Sequence, residues 1–224
     1  VQNQIERKNL KNVPFVHADG SKRFQPVRHD ELANTIVNQV QELGIGIKKE
    51  AWGTSEDHAS LFGEIILDGV MDNPVMDFSI GIRQNNNQRF AITLVSGGSV
   101  FVCSNLVISG EVVMNKKHTS GLTLKDEVHS GLVSCISNSN NILESMNQMQ
   151  EKKLNNKRAN HLMMESAHNG LFSYSHLKDV KAEWLTPTHK DFAPRNEWSL
   201  YNAFTETAKR YSTLRQQTHR IQPN

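Results

Sequence analysis

The sequence contains few residues of the kinds that identify a protein class directly, and cysteine is the clearest case. Only Cys103 and Cys135 occur among 224 residues, and neither belongs to a Cys-x-x-Cys pair. Two cysteines are too few for a disulfide framework, and the missing pair argues against a redox or zinc-ribbon domain. With no disulfide framework, and with neither a membrane span nor a signal peptide in the sequence, we expect a cytoplasmic protein.

Long apolar runs and an excess of charge of one sign are absent as well. No run reaches the roughly 18 apolar residues of a membrane-spanning helix, so we expect no membrane partner. Residues 1–12 are polar and lack the apolar region of a signal peptide. The chain has 25 Lys and Arg against 23 Asp and Glu, a formal net charge of +2. Bulk charge therefore does not indicate nucleic-acid binding, which would require a local cluster of cations.

Recognisable catalytic motifs are also missing. The sequence contains no His-Glu-x-x-His, no Gly-x-Ser-x-Gly and no phosphate loop of the Walker type. Cys103 lies in VFVCSN without a nucleophile signature around it, and a free cysteine in an apolar strand is typical of a core. The sequence therefore predicts no cofactor and indicates no particular reaction.

The residues that are present predict an early helix followed by a sheet. Apolar residues between Leu32 and Leu43 recur at three- and four-residue steps, and Gly44 closes this helix. From residue 45 to 119 the period shortens and turn formers recur. We expect a polar hairpin tip at residues 85–88 and a tight turn at Gly97-Gly98. Five or six strands joined by such short turns predict an antiparallel meander.

Helical spacing returns after Thr119 and continues through several segments that end at Gly170, before Pro187 and near Tyr211. The order of helix, sheet and helices predicts an α+β fold, in which an N-terminal helix and several C-terminal helices pack on the meander. The predicted organisation is a mobile tail over 1–12, a single domain over 13–213 with its sheet at about 45–119 and its helices at about 122–213, and a basic tail over 214–224.

Two groups of side chains have the chemistry of metal ligands. His161, Glu165 and His168 share one face of a predicted helix, and their number would suffice for zinc. The second Glu-x-x-His that a di-iron bundle requires is absent, and the alternative is a solvated polar face. We therefore predict no metal and keep these three residues as weak candidates. Acidic pairs across strands, such as Asp77 with Glu111, leave a metal-dependent nuclease as an alternative.

A cluster of cations follows the last predicted strand and is the better candidate for a site. Lys116, Lys117 and His118 precede Thr119, and ammonium, hydroxyl and amide groups at a strand end suit a phosphate. Arg83 and Arg89 flank the polar tip at 85–88. The alternative interpretation is an ordinary solvated face. The predicted nucleic-acid-binding residues are Arg83, Arg89, Lys116, Lys117, His118 and Thr119.

Two separated motifs carry a resemblance to a known family. The first runs from IGIRQN at 80–85 through VFVCSNL at 100–106 and SGE at 109–111 to KHT at 117–119, and the second is WSLYNAFTE at 198–206. On these motifs the chain resembles, over roughly residues 25–211, a family of phage- and plasmid-related proteins that form a domain of unknown function. The resemblance implies a protein of mobile elements, in the host cytoplasm where it is phage-encoded.

These observations together lead to one expected function and two alternatives. We expect a homo-oligomeric protein that binds nucleic acid without catalysis, with single-stranded DNA as the favoured ligand, in strand binding, annealing or recombination. A sheet crossed by helices with a basic strand end is also how annealing proteins build rings, an analogy at the level of fold. The alternatives are a counter-defence module that binds a host enzyme and the metal-dependent nuclease.

Overall fold

The computed structural model describes residues 3–18, 23–71, 76–100 and 111–211. Contacts within the chain divide it into two compact units, residues 1–140 and residues 141–224. Each unit is described by itself, and the single domain over 13–213 stays a prediction. Cys103, most of the strand predicted after Gly98, and the basic tail at 214–224 lie outside the described residues.

The first unit contains an antiparallel sheet whose six described strands follow one another in chain order. The strands are β1 (Asn3–Ile5), β2 (Gly46–Thr54), β3 (Ser60–Asp68), β4 (Met76–Asn85), β5 (Ile92–Val100) and β6 (Glu111–Lys116). Every neighbouring pair is antiparallel. The predicted α+β class and the meander are confirmed.

The described part of the first unit also contains two α-helices, α1 (His29–Glu42) and α2 (Leu124–Ser137). The apolar stripe predicted for α1 is buried, as expected for a helix that packs on a core. Gly131 of α2 lies against Leu94 and Met114, because a Cβ at this position would come within 3.0 Å of Leu94 Cδ1. The face of the sheet that carries Ile82, Leu94 and Met114 is therefore the face covered by α2.

The first residues of the chain form elements that the sequence did not predict. Residues 3–5 are strand β1, and Arg7–Asn12 is a 3-10 helix in which Leu10 is only 1% exposed. Arg7 Nε donates to Glu50 Oε2 at 2.9 Å. A three-residue strand and a single short helix are too brief to give a periodic signal, which explains why this segment was expected to be a mobile tail.

The predicted tight turn at Gly97-Gly98 is wrong. Both glycines lie inside β5, where Gly97 pairs with Ser79 and Gly98 pairs with Phe78. Phe78 is completely buried, so this pairing lies within the sheet rather than at a turn. The hairpin turn after β4, by contrast, lies where the sequence predicted it.

The second unit consists of helices packed around a small core. These are the later part of α3 (Ser139–Glu151), then α4 (Asn156–His168), α5 (Leu177–Leu185) and α6 (Glu197–Tyr211), with 3-10 turns at Tyr174–His176 and Lys190–Phe192. The core contains Leu154, Ala159, Met163, Val180, Trp184, Leu200 and Ala203. None of the helices among the described residues has the length and apolarity to cross a membrane.

Candidate functional site

Three loops of the first unit meet at one end of the sheet. Because neighbouring strands are antiparallel, residues 55–59 after β2, residues 86–91 after β4 and residues 117–123 after β6 lie at the same end. We call this region the turn end. All six residues predicted to bind nucleic acid lie in these loops or in the last few residues of the strands that lead into them.

The strand register nevertheless places Arg83 and Lys116 on opposite faces of the sheet. Arg83 of β4 pairs with Thr93 of β5, whereas Lys116 of β6 pairs with Ile92. Successive residues of a strand point to opposite faces, and paired residues point to the same face. Arg83 and Lys116 therefore share an end of the sheet but not a surface.

Arg83 is held by neighbouring side chains. Its Nε donates to Thr93 Oγ1 at 3.3 Å, and its guanidinium lies 5.2 Å from the centroid of the Phe90 ring. Phe90 in turn packs against Phe62, with 6.1 Å between the ring centroids. Burial lowers the pKa of Arg83 from its ordinary value, although an arginine stays charged at neutral pH. These contacts make Arg83 a residue that positions the Phe90 ring.

Lys116 is also engaged within the fold. Its Nζ lies 3.0 Å from Glu127 Oε2 of α2, and its side chain is 47% exposed. An ion pair in contact with solvent contributes little to stability, about 0–1 kcal/mol. The pair does fix the direction of Lys116 toward α2 rather than toward the loops.

Arg89 is the most accessible of the predicted arginines. Its side chain is 64% exposed, and its Nη1 lies 3.8 Å from Asp57 Oδ2. Asp57 itself has other partners, because hydrogen bonds from Ser55 and from the Ala59 amide, with the charge of Arg89, lower the pKa of its carboxyl. The backbone amide of Arg89 donates to Asn85 Oδ1 at 2.9 Å. The loop is thus anchored while the guanidinium extends into solvent.

Lys117 and Thr119 are exposed, and the fold brings a further cation beside them. Phe24 and Thr119 form an isolated β-bridge, and the Ser120 amide donates to the Arg23 carbonyl oxygen at 3.0 Å. Arg23 is exposed and adjoins the loop after β6. Sequence reasoning missed it, because nothing local connects Arg23 with residues almost a hundred positions further along the chain.

His118 lies between these exposed residues but is itself only 5% exposed. Its ring centroid is 5.5 Å from that of Phe24. Neither ring nitrogen finds a hydrogen-bond partner among the described residues. Burial lowers the pKa of His118, so the ring is neutral at pH 7 and does not present a charge to solvent.

A buried polar cluster at the end of β4 organises the turn end. Gln84, Asn85 and Asn86 are all 0% exposed. The Asn86 side chain donates to the Val27 carbonyl oxygen at 2.9 Å and accepts from the Val27 amide at 3.1 Å. Asn85 Oδ1 accepts the amides of Asn87 and Arg89. The sequence showed a polar tip here, but only the structure shows that its first residues are internal hydrogen-bonding groups.

The weak metal candidates do not assemble into a site. His161 Nε2 lies 3.4 Å from Glu165 Oε1, and both side chains are more than half exposed. Across the described parts of the chain, no group of three or more His, Cys, Asp or Glu is arranged to hold a metal ion. Asp77 is bound instead by Lys48 Nζ at 2.6 Å. The side chain of Glu111 lies outside the described residues.

Comparison with known proteins places this geometry in a family context. A family model described as Domain of unknown function (DUF932) matches residues 16–224. The match covers both motifs that carried the sequence resemblance. No curated protein and no solved structure matches the chain.

Proposed function

The chain belongs to the family of the domain of unknown function DUF932, and on this premise we propose that it binds single-stranded nucleic acid, without catalysis, at the turn end. The observation that carries the proposal is the convergence of Arg23, Arg89 and Lys117. These exposed cations come from three distant segments and lie at one end of the sheet. A local concentration of cations favours a polyanion even where net charge is nearly balanced.

Each residue at the turn end has a distinct role in this proposal. Arg89 and Lys117 contact phosphates, and the exposed hydroxyl of Thr119 donates a further hydrogen bond. Arg83 holds the Phe90 ring from behind, and a base stacks against this aromatic cluster. Lys116 retains Glu127 as its partner. This is a narrower set of phosphate contacts than the sequence predicted.

The shape of the sheet supports a single strand as the ligand rather than a duplex. The major groove of B-DNA is about 12 Å wide and admits one helix or a two-stranded ribbon. Strands β4 and β5 each have a neighbour on both sides, so neither forms a free ribbon that would enter a groove. A flexible single strand can instead follow cations across the ends of adjacent strands.

The proposal extends to biological context and assembly. We place the protein on phages or other mobile elements, where it takes part in strand binding, annealing or recombination. Three exposed cations give one copy of the chain a weak binding site. Several copies bound along one nucleic-acid strand would raise the overall affinity with the same kind of contact in each copy. The proposed active form is therefore a homo-oligomer.

A salt-titrated binding experiment tests the proposal. Fluorescence anisotropy with a single strand of about 30 nucleotides should show affinity that falls steeply as salt rises. The double variant Arg89→Ala with Lys117→Ala should bind more weakly and reduce the log–log salt slope by about 1.4, because each lost phosphate contact removes about 0.7 for single strands. Lys8→Ala is the matched control, since Lys8 is 77% exposed and lies next to β1 at the opposite edge of the sheet.

Two results would contradict the proposal. One is affinity that does not change with salt, or no binding of single-stranded DNA or RNA. The other is a loss in the Lys8→Ala control about half as large as in the double variant, in proportion to one charge removed against two, which would indicate binding through general charge rather than at the turn end.

A second candidate function, a protein-interaction module, is favoured by exposed apolar side chains of the second unit. Met164, Leu171 and Tyr174 are 53%, 59% and 56% exposed, and large apolar groups in contact with solvent are common where proteins bind partners. A pull-down from nuclease-treated host lysate should return one stoichiometric protein that Leu171→Ser no longer retains. Retention that the substitution leaves unchanged would remove this candidate.

A further inference from the structure

His29 connects three segments of the turn end through its two ring nitrogens. It is the first residue of α1 and only 5% exposed. Its Nε2 lies 2.9 Å from the carbonyl oxygen of His58 in loop 55–59, and its Nδ1 lies 2.7 Å from Gln84 Nε2 of β4. The ring therefore joins the start of α1 to the loop after β2 and to the end of β4.

These two contacts fix the protonation state of the ring. A carbonyl oxygen only accepts hydrogen bonds, so Nε2 must carry the proton that it donates to His58. Gln84 Nε2 is a donor, so Nδ1 must be the bare nitrogen that accepts from it. The arrangement is satisfied by one neutral tautomer and by no other protonation state.

We propose that His29 and Gln84 form a pH-sensitive latch that fastens the segment before α1 to the sheet and opens when His29 gains a second proton. A protonated Nδ1 would face the Gln84 amide, placing two donors against each other. The conflict is removed when the Gln84 side-chain amide rotates by about half a turn, so that Oε1 faces Nδ1 and accepts its proton. Gln84 Oε1 is available for this because it has no partner among the described residues. That turn, however, breaks the bond from Gln84 Nε2 to the Val27 carbonyl oxygen, now 3.1 Å long.

Opening of the latch is coupled to the uptake of a second proton, by His118. The segment held by the latch includes Phe24, whose ring packs on His118, and Gln25, whose amide donates to the His118 carbonyl oxygen at 3.1 Å. Release of this segment exposes a ring whose two nitrogens have no described partner. Exposure favours the charged form, so protonation of His118 follows and opposes closure.

The surroundings of His29 favour the neutral ring. Burial is the largest cause that lowers its pKa, and His58 and Arg28 act in the same direction, while the His58 carbonyl and Asp30 oppose it. His118, after β6, is close enough for the two rings to repel when charged. The first turn of α1 adds the positive end of the helix dipole, which also disfavours an imidazolium.

The sign of the pH dependence follows from these directions. A histidine whose folded pKa lies below its unfolded value of about 6.5 stabilises the fold fully only above that value. Stability is then lost as the pH falls from about 6.5 toward the lowered pKa, because the unfolded chain binds the proton more readily. For the latch this means a closed turn end at neutral pH and an opened one in mild acid.

The consequence for ligand binding rests on the proposed function. Opening of the latch frees Arg23 from its place beside Ser120 and loosens the cluster that anchors the loop of Arg89. Single-strand affinity should then fall as the pH drops below about 6.5, the ordinary pKa of histidine, although histidine protonation ordinarily strengthens binding to phosphates.

The decisive experiment measures the stability of the ligand-free protein against pH. Denaturant unfolding is measured between about pH 7.5 and about pH 5. As the pH falls, the unfolding constant of the wild type should rise by up to about a hundredfold per pH unit, because both histidines contribute. The unfolding constant of His29→Gln should rise by up to about tenfold per pH unit, because only His118 contributes. His129→Gln is the control, because His129 is exposed in the same unit, and it should retain the wild-type slope. Equal slopes for His29→Gln and the wild type would overturn the latch.

A second measurement remains informative where His29→Gln does not fold. Long-range ¹H–¹⁵N spectra of the wild type should show His29 as the Nε2–H tautomer and still neutral below about pH 6.5, with amide protection of Val27 and Asn86 falling as it titrates. An ordinary titration that leaves those amides unchanged would also overturn the latch. Because neither readout contains nucleic acid, a failed binding experiment removes the proposed function and leaves the latch in place.

Discussion

Gly63 shows how one residue without a side chain permits the central packing of the sheet. It pairs with Trp52 across β2 and β3, and a Cβ added to Gly63 would overlap the Trp52 ring, which is 1% exposed. We therefore expect Gly63→Ala to lower the free energy of unfolding by about 1–3 kcal/mol, the usual effect of overpacking a core. Equilibrium denaturation would measure this loss.

A matched glycine and a double variant make this prediction specific. Gly121 has nothing within 4 Å of an added Cβ, so Gly121→Ala should leave stability almost unchanged. Trp52→Phe combined with Gly63→Ala should be less destabilised than the sum of the single changes, because the smaller ring relieves the overlap. Strict additivity would show that the loss has another origin.

Cys135 is the second residue with a sharp chemical prediction. It is completely buried in α2, and burial raises the pKa of its thiol to about 12. At pH 8 only about one thiol in ten thousand would be the reactive thiolate, against roughly a quarter for a free cysteine. In a Cys103→Ser variant, where Cys135 is the remaining thiol, iodoacetamide should modify the native protein at a negligible rate and the denatured protein readily. Rapid modification of the native form would show that α2 leaves the sheet.

The direction of individual side chains is the part of the site that sequence could not supply. The cluster from Lys116 to Thr119 was predicted correctly to lie at a strand end. Whether Lys116 and Arg83 share a face depends on the register of three strands, and a shift of one residue reverses the answer. Register is set by turn lengths and by packing between residues on neighbouring strands, such as Ile82 with Leu94 and Leu94 with Met114.

At the scale of elements, local periodicity predicted most of what the structure shows. Helix α1 and strands β2 to β4 each have a pattern contained within a dozen residues. The Gly97-Gly98 pair was misread because its local signal is that of a turn, while its place inside β5 is set by pairing with Ser79 and Phe78 of β4. Elements are therefore predictable where their cause is local, and are missed where the cause lies on a partner strand.

Helix α5 ends in a contact that gives a prediction at this scale. Arg195 donates from Nη1 to the Trp184 carbonyl oxygen and from Nη2 to that of Leu185 at 3.0 Å, and its guanidinium lies 4.8 Å from the centroid of the Trp184 ring. These carbonyls have no partner within the helix at its C-terminus. Arg195→Ala should therefore destabilise the second unit by about 1–3 kcal/mol, as for other hydrogen bonds to a charged group.

The lysine substitution distinguishes shape from charge at this helix end. Arg195→Lys keeps the positive charge but cannot donate to two carbonyls with a planar fork. The lysine variant should therefore show most of the decrease in the free energy of unfolding that Arg195→Ala shows. Urea unfolding followed by far-UV circular dichroism would measure both decreases. A lysine variant as stable as the wild type would indicate that charge near the C-terminus of α5 is sufficient.

At the scale of the whole molecule, the first dozen residues protect part of one edge of the sheet. Strand β1 pairs with β2 through Asn3, Gln4 and Ile5, and Leu10 of the following 3-10 helix is buried. Without these residues, Trp52, Gly53 and Thr54 of β2 would lose their partners on that side, and unpaired amide and carbonyl groups at a sheet edge are a common cause of aggregation. The segment expected from sequence to be a mobile tail thus has a structural role.

Deletion of residues 1–12 tests this role directly. The shortened chain should unfold at lower denaturant concentration and should form aggregates larger than any assembly of the full chain, which sedimentation velocity would detect. Leu10→Ala separates the two effects: it removes a buried side chain, at a loss of about 2–5 kcal/mol, but keeps β1 paired. It should therefore reduce stability without inducing self-association. A deletion as stable and as dispersed as the full chain would mean that β1 and the 3-10 helix contribute nothing to the fold.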